Sequence, residues 1–187
     1  MLAAFVQGPV LRLVMVGLIV VALQQTLFVD LRPGGVTVQV VLALAAAAGA
    51  GGGPQKGALA GFVLGVMFDL RVGTPVGTSS ITMGVAGFTA GYVQSITVDP
   101  QWWLSSLFVG LGTAIGEGLR PVVRRFVGDQ QEYTLRIITV VVVVTAGALV
   151  MSPVLLPIGR WCMKVKRTDW TKVASRAESA TTRSAPP

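Results

Sequence analysis

Charged residues cut this chain into long apolar stretches. Leu13–Val29 carries no charge and is rich in Leu, Val and Ile. It is of a length suited to crossing a bilayer, which takes roughly 20 apolar residues in a helix. Arg12 stands at its start, where a long side chain can reach the interface. No small-residue cleavage site follows it promptly, so the pattern predicts a retained helix rather than a removed signal. Asp30, Arg32 and Pro33 close this segment. Pro33–Gln55 is again free of charge and ends in GAGGGPQKG, which predicts a turn with Lys56 at its tip.

The third segment, Gly57–Leu70, is short. Gly57, Gly61, Gly65 and Asp69 recur in it every fourth residue and so share one helix face. Between Arg71 and Asp99-Pro100 the next stretch opens on GTPVGTSS, read as a loop, and continues as a helix from about Ile81. Trp102 and Trp103 follow as interfacial anchors would. A fifth segment covers about Leu104–Leu119, and a sixth covers Ile137–Ile158 with Pro153 and Pro157 near its end. The expectation is an all-α integral membrane protein, a bundle of about six transmembrane helices over residues 1–160. Residues 161–187 form a basic tail, largely disordered because its small polar residues bury little. A re-entrant Gly57–Leu70 would leave five crossings.

Composition agrees. The chain is 52% hydrophobic and 12% charged, with a mean hydropathy of +0.71, against about 25% charged residues in a soluble domain. Of the net charge of +7, residues 159–187 supply +5, from seven basic and two acidic groups. By the positive-inside rule this basic tail places the C-terminus in the cytoplasm of a plasma-membrane protein, and six crossings place the N-terminus there too. The tail also suits anionic membrane lipids, at about 1 kcal/mol per basic residue near the surface, and not nucleic acid. Arg32, Arg71, Arg120, Arg124, Arg125 and Arg136 fall on the opposite side. That excess predicts an interfacial helix or a protein-contact surface over Arg120–Arg136.

Candidate chemistry is sparse. The chain has no histidine and one cysteine, Cys162, which reads as an interfacial residue without a role. This excludes Ser-His-Asp catalysis, histidine-based zinc sites and an internal disulfide. Neither GxxxxGK[ST] nor a dinucleotide-binding GxGxxG motif is present. No enzyme activity, cofactor or metal is expected. Asp69 sits in VMFD, not in the GxGD context of intramembrane aspartyl proteases. It reads as a helix-end carboxylate that pairs with Arg71 or caps the loop to Gly77. Glu117, in GTAIGEGLRPVVRR, has Arg120 three and Arg124 seven residues on, all on one helix face. An ionisable residue at membrane depth is a site candidate, here an intramembrane ion pair or a partner contact. The glycine series, echoed by Gly87/Gly91 and Gly112/Gly116, reads as close helix packing.

The stretch AGFVLGVMFDLRVGTPVGTSSITMGVAGFTAGY resembles the signature of the rod shape-determining MreD family, on Gly61, Phe62, Gly65, Asp69 and Gly77. The layout of five to six helices and a short basic tail is similar too. The resemblance implies a non-enzymatic bacterial plasma-membrane scaffold of the elongation complex. Its partners would be MreC, with MreB, RodA and a class B penicillin-binding transpeptidase, and it would help organise peptidoglycan synthesis, cell-wall biogenesis and cell shape. The family's fold is similar to that of the S components of energy-coupling-factor transporters. The alternative is therefore a substrate-binding subunit for a small nutrient such as a vitamin, with hydroxyls from Thr74, Thr78, Ser79 and Ser80.

Overall fold

The computed structural model describes residues 9–26, 39–72, 77–97, 101–128 and 136–163, and these form six helices and no strand. They are α1 (Pro9–Thr26), α2 (Val40–Gly52), α3 (Pro54–Val72), α4 (Thr78–Ile96), α5 (Trp102–Phe126) and α6 (Arg136–Met163). The described residues are thus all-helical, in six helices. Among the described residues only Ile137–Met163 is long and apolar enough to span a bilayer by length and composition alone, and the apolar stretches Leu11–Thr26 and Val40–Gly52 are shorter.

The second segment differs most from its expectation. Its helix has 13 residues, about 20 Å at 1.5 Å per residue, short of the roughly 30 Å hydrocarbon thickness. Residues 33–38 of that segment lie outside the described residues. This helix is the axle of the bundle: every residue from Val40 to Ala50 is buried, and α2 packs against all five other helices. A helix apolar on all sides has no solvent face to present and is enclosed. Its run of alanines, Ala45 to Ala48, lets neighbours approach closely from every direction.

The turn after α2 is tighter than GAGGGPQKG suggested. Gly53 alone makes it, at φ +86°, and its N–H donates to Gly49 O at 2.8 Å. Pro54 then takes the first position of α3, where a missing N–H costs nothing, so Lys56 lies within α3's first turn. α3 continues unbroken for 19 residues. α5 and α6 also outrun their expected ends, α5 through Pro121 to Phe126 and α6 through Pro153 and Pro157 to Met163. The Arg12 guanidinium lies 5.2 Å from the centre of the Trp161 ring. The start of α1 and the end of α6 therefore share one end of the bundle. Cys162 is fully buried at that end.

The interior mixes small and polar side chains with larger apolar ones: Ala43, Ala86, Ala90, Ser80, Ser105, Thr113 and Asp69 are buried beside Leu42, Leu44, Leu64, Met83 and Val109. Large apolar side chains stand outside on every helix except α2, among them Ile19, Phe62, Phe88, Leu107 and Val150.

Candidate functional site

The glycines of α3 form its seam with α4. A Cβ placed on Gly57 would overlap Gly87 O, one on Gly61 would overlap Met83 O, and one on Gly65 would reach Ser79 O at 2.6 Å. Each step of four residues down α3 matches a step of four back along α4, as antiparallel helices require. Gly49 of α2 meets Gly87 at the same place, so three backbones converge there. Without Cβ atoms, such contacts gain dispersion over much of the helix length.

Asp69 is the next position in this series and is wholly buried. Its Oδ2 accepts the Gly77 N–H at 2.9 Å and the Ser79 N–H at 3.1 Å, while Oδ1 stands 3.2 Å from the same Ser79 nitrogen. The Ser80 hydroxyl donates to Oδ2 at 3.4 Å. These N–H groups belong to the first turn of α4, which has no intrahelical acceptor for them. The negative carboxylate also meets the positive end of the α4 dipole. Of the two arrangements expected for Asp69, this geometry is the cap toward Gly77, and Arg71 is exposed at the end of α3. Gly77 has φ +111°, a left-handed conformation suited to glycine. The cap explains why α4 begins at Thr78 and not near Ile81.

Phe62 lies at the outer edge of this seam, 51% exposed. It borders a shallow groove of about 460 Å³ with Leu59, Ser80, Gly84 and Phe88. Thr78, Ser79 and Ser80 are buried within the bundle, and Thr74 lies outside the described residues.

The second cluster centres on Glu117, which is 7% exposed. Arg120 Nη1 donates to both of its carboxylate oxygens, at 3.2 and 3.3 Å. Gln39 Nε2, at the entry to α2, reaches Oε1 at 3.4 Å. Arg120 Nε is buried without a hydrogen-bond partner among the described residues. Arg124 is partly buried one turn further along α5. The Gln39 amide thus ties α5 to the start of the central helix, while Arg120 pairs with the carboxylate from within α5.

Two participants were not legible in the sequence. Gln39 and Gln24 sit in otherwise apolar runs with no pattern to mark them. Gln24 is 4% exposed, and its Oε1 accepts the Val41 N–H at 3.0 Å. It caps the first turn of α2 from α1, as Asp69 caps α4 from α3. No family model matches the chain, and no curated protein and no solved structure is significantly similar to it.

Proposed function

We propose that this chain is a multi-pass bacterial plasma-membrane protein that acts as a non-enzymatic scaffold of the cell-wall elongation complex, in the manner of the MreD family. The bilayer part of this reading is supported by the outer faces. Large apolar side chains such as Ile19, Phe62, Phe88, Leu107 and Val150 face outward on every helix but α2, which suits a hydrocarbon solvent better than water. α3, at 19 residues, is about 28 Å long and suits one crossing. Six antiparallel helices leave both termini on one side, which the basic tail makes the cytoplasm.

The scaffold part rests on one observation. Four of the five residues that carry the MreD resemblance are structural in their chemistry: Gly61 and Gly65 bring α4 against α3, and Asp69 with Gly77 starts α4, while Phe62 is half-exposed. A wholly buried carboxylate whose oxygens already accept two N–H bonds and one O–H bond within the fold suits a joint better than a reactive centre. On this reading the outer helix faces, and the α5 end around Glu117, Arg120 and Arg124, meet MreC and, through the complex, MreB, RodA and the transpeptidase.

The test is affinity purification of the tagged full chain from crosslinked native membranes, read by mass spectrometry. Recovery of MreC with RodA and its transpeptidase is the expected result. Recovery of transporter ATPases and a coupling subunit would replace this reading with that of a nutrient-binding subunit.

A further inference from the structure

We propose that the groove between α1 and α3, beside the end of α6, holds an acyl chain of an anionic phospholipid whose phosphate lies against Lys56. The proposal rests on the bilayer reading above and adds a lipid site to it. The groove has a volume of about 290 Å³ and is lined by Leu13, Lys56, Leu59, Ala60, Val63 and Met163. Lys56, Leu59/Ala60 and Val63 follow one face of α3 at steps of three and four. The apolar trough therefore runs inward from Lys56 for roughly 10 Å at 1.5 Å per residue. This is the polarity of a lipid, with a charge at the mouth and hydrocarbon below it.

Charge and position specify the occupant. Lys56 and the neighbouring Gln55 are exposed in α3's first turn. Arg12, next to Leu13, is stacked on the Trp161 ring, and Arg160 precedes that tryptophan. A half-exposed tryptophan beside arginine is the residue pair that marks a headgroup level. Among the described residues this end carries Arg12, Lys56 and Arg160, and the two acids, Asp69 and Glu117, lie at the opposite end. A trough roughly 10 Å long takes the headgroup-proximal part of one hydrocarbon chain, and the cationic mouth selects an anionic head.

The test uses Trp161 as reporter in the full chain, with Trp102, Trp103 and Trp170 replaced by phenylalanine. The protein is reconstituted into vesicles containing acyl-brominated phosphatidylglycerol or acyl-brominated phosphatidylcholine at equal mole fraction. Heavy-atom quenching of Trp161 gives the relative association of each lipid. The expected preference for phosphatidylglycerol is about fivefold, which corresponds to about 1 kcal/mol for one basic residue at the surface. Lys56→Gln should bring it close to one, Lys56→Arg should keep it, and Arg160→Gln at the same end should leave most of it. Equal quenching by both lipids in the parent, or an equal loss in Lys56→Gln and Arg160→Gln, overturns the site while leaving the bilayer reading intact. Quenching by neither lipid overturns the bilayer reading and the site with it.

Discussion

Asp69 Oδ2 accepts the Ser79 N–H at 3.1 Å across the junction of two helices. The side chain that starts α4 therefore belongs to α3. The Gly65–Ser80 contact lies one turn inside this bond, so the cap and the glycine seam hold each other in register.

Removing the cap should cost stability more than it changes secondary structure. Asp69→Ala leaves the part-buried Gly77 and the buried Ser79 N–H groups without this acceptor, at a cost of about 2–3 kcal/mol for the loss of a charged acceptor. Asp69→Asn keeps one acceptor oxygen and should fall between. Thermal unfolding of the detergent-solubilised protein measures the order. Equal melting of all three proteins would mean that the cap contributes nothing.

The glycine seam predicts a contrast among substitutions to alanine. Gly61→Ala and Gly65→Ala place a methyl group against backbone atoms that cannot move aside, so they should destabilise by about 1–3 kcal/mol or more. The larger Gly61→Leu and Gly65→Leu should abolish membrane accumulation. Gly84→Ala makes ordinary contact at 3.4 Å, and Gly118→Ala meets nothing within 4 Å, so both should accumulate normally. Immunoblots of membrane fractions read this pattern, and normal levels of Gly61→Leu would sink it.

Glu117→Ala leaves the partly buried Arg120 without its partner oxygens. The expected loss is about 3 kcal/mol, largely from the stranded charge. Glu117→Ala with Arg120→Ala should recover part of it, because the charge is gone as well. A double-mutant cycle on unfolding gives the coupling. If single and double variants keep parental stability but lose co-purifying proteins, the pair is a partner contact and not an internal brace.

Gln24→Ala removes the acceptor for the Val41 N–H and should cost about 1 kcal/mol, the size of a helix cap. Gln24→Glu retains an acceptor but buries a charge, so it should not restore the full value. Unfolding midpoints of the two variants decide the matter. A neutral Gln24→Ala would show that α2 needs no cap from α1.

Much of the architecture was legible one segment at a time. The helices follow from the apolar runs between charges, and the Gly57, Gly61, Gly65, Asp69 spacing marked the face of α3 that meets α4. Boundaries were legible only where the stop was local. The start of α4 was misplaced because GTPVGTSS reads as a loop, and the carboxylate that holds Thr78–Ser80 in a helix lies eight and more residues away. α5 and α6 run on through Pro121, Pro153 and Pro157 because each proline removes one backbone bond while neighbouring turns remain packed.

What the sequence by itself determined is the helical class, the number of helices and the small-residue face of α3, since all three rest on periodicity and on the spacing of charges. Only the tertiary structure decided that α2 is the enclosed axle, that Cys162 is buried, and that Gln24, Gln39 and Asp69 satisfy backbone or side-chain groups on other helices. The physical reason is that a buried polar group takes whatever partner the packing brings to it. That partner is chosen by the arrangement of helices and not by distance along the chain.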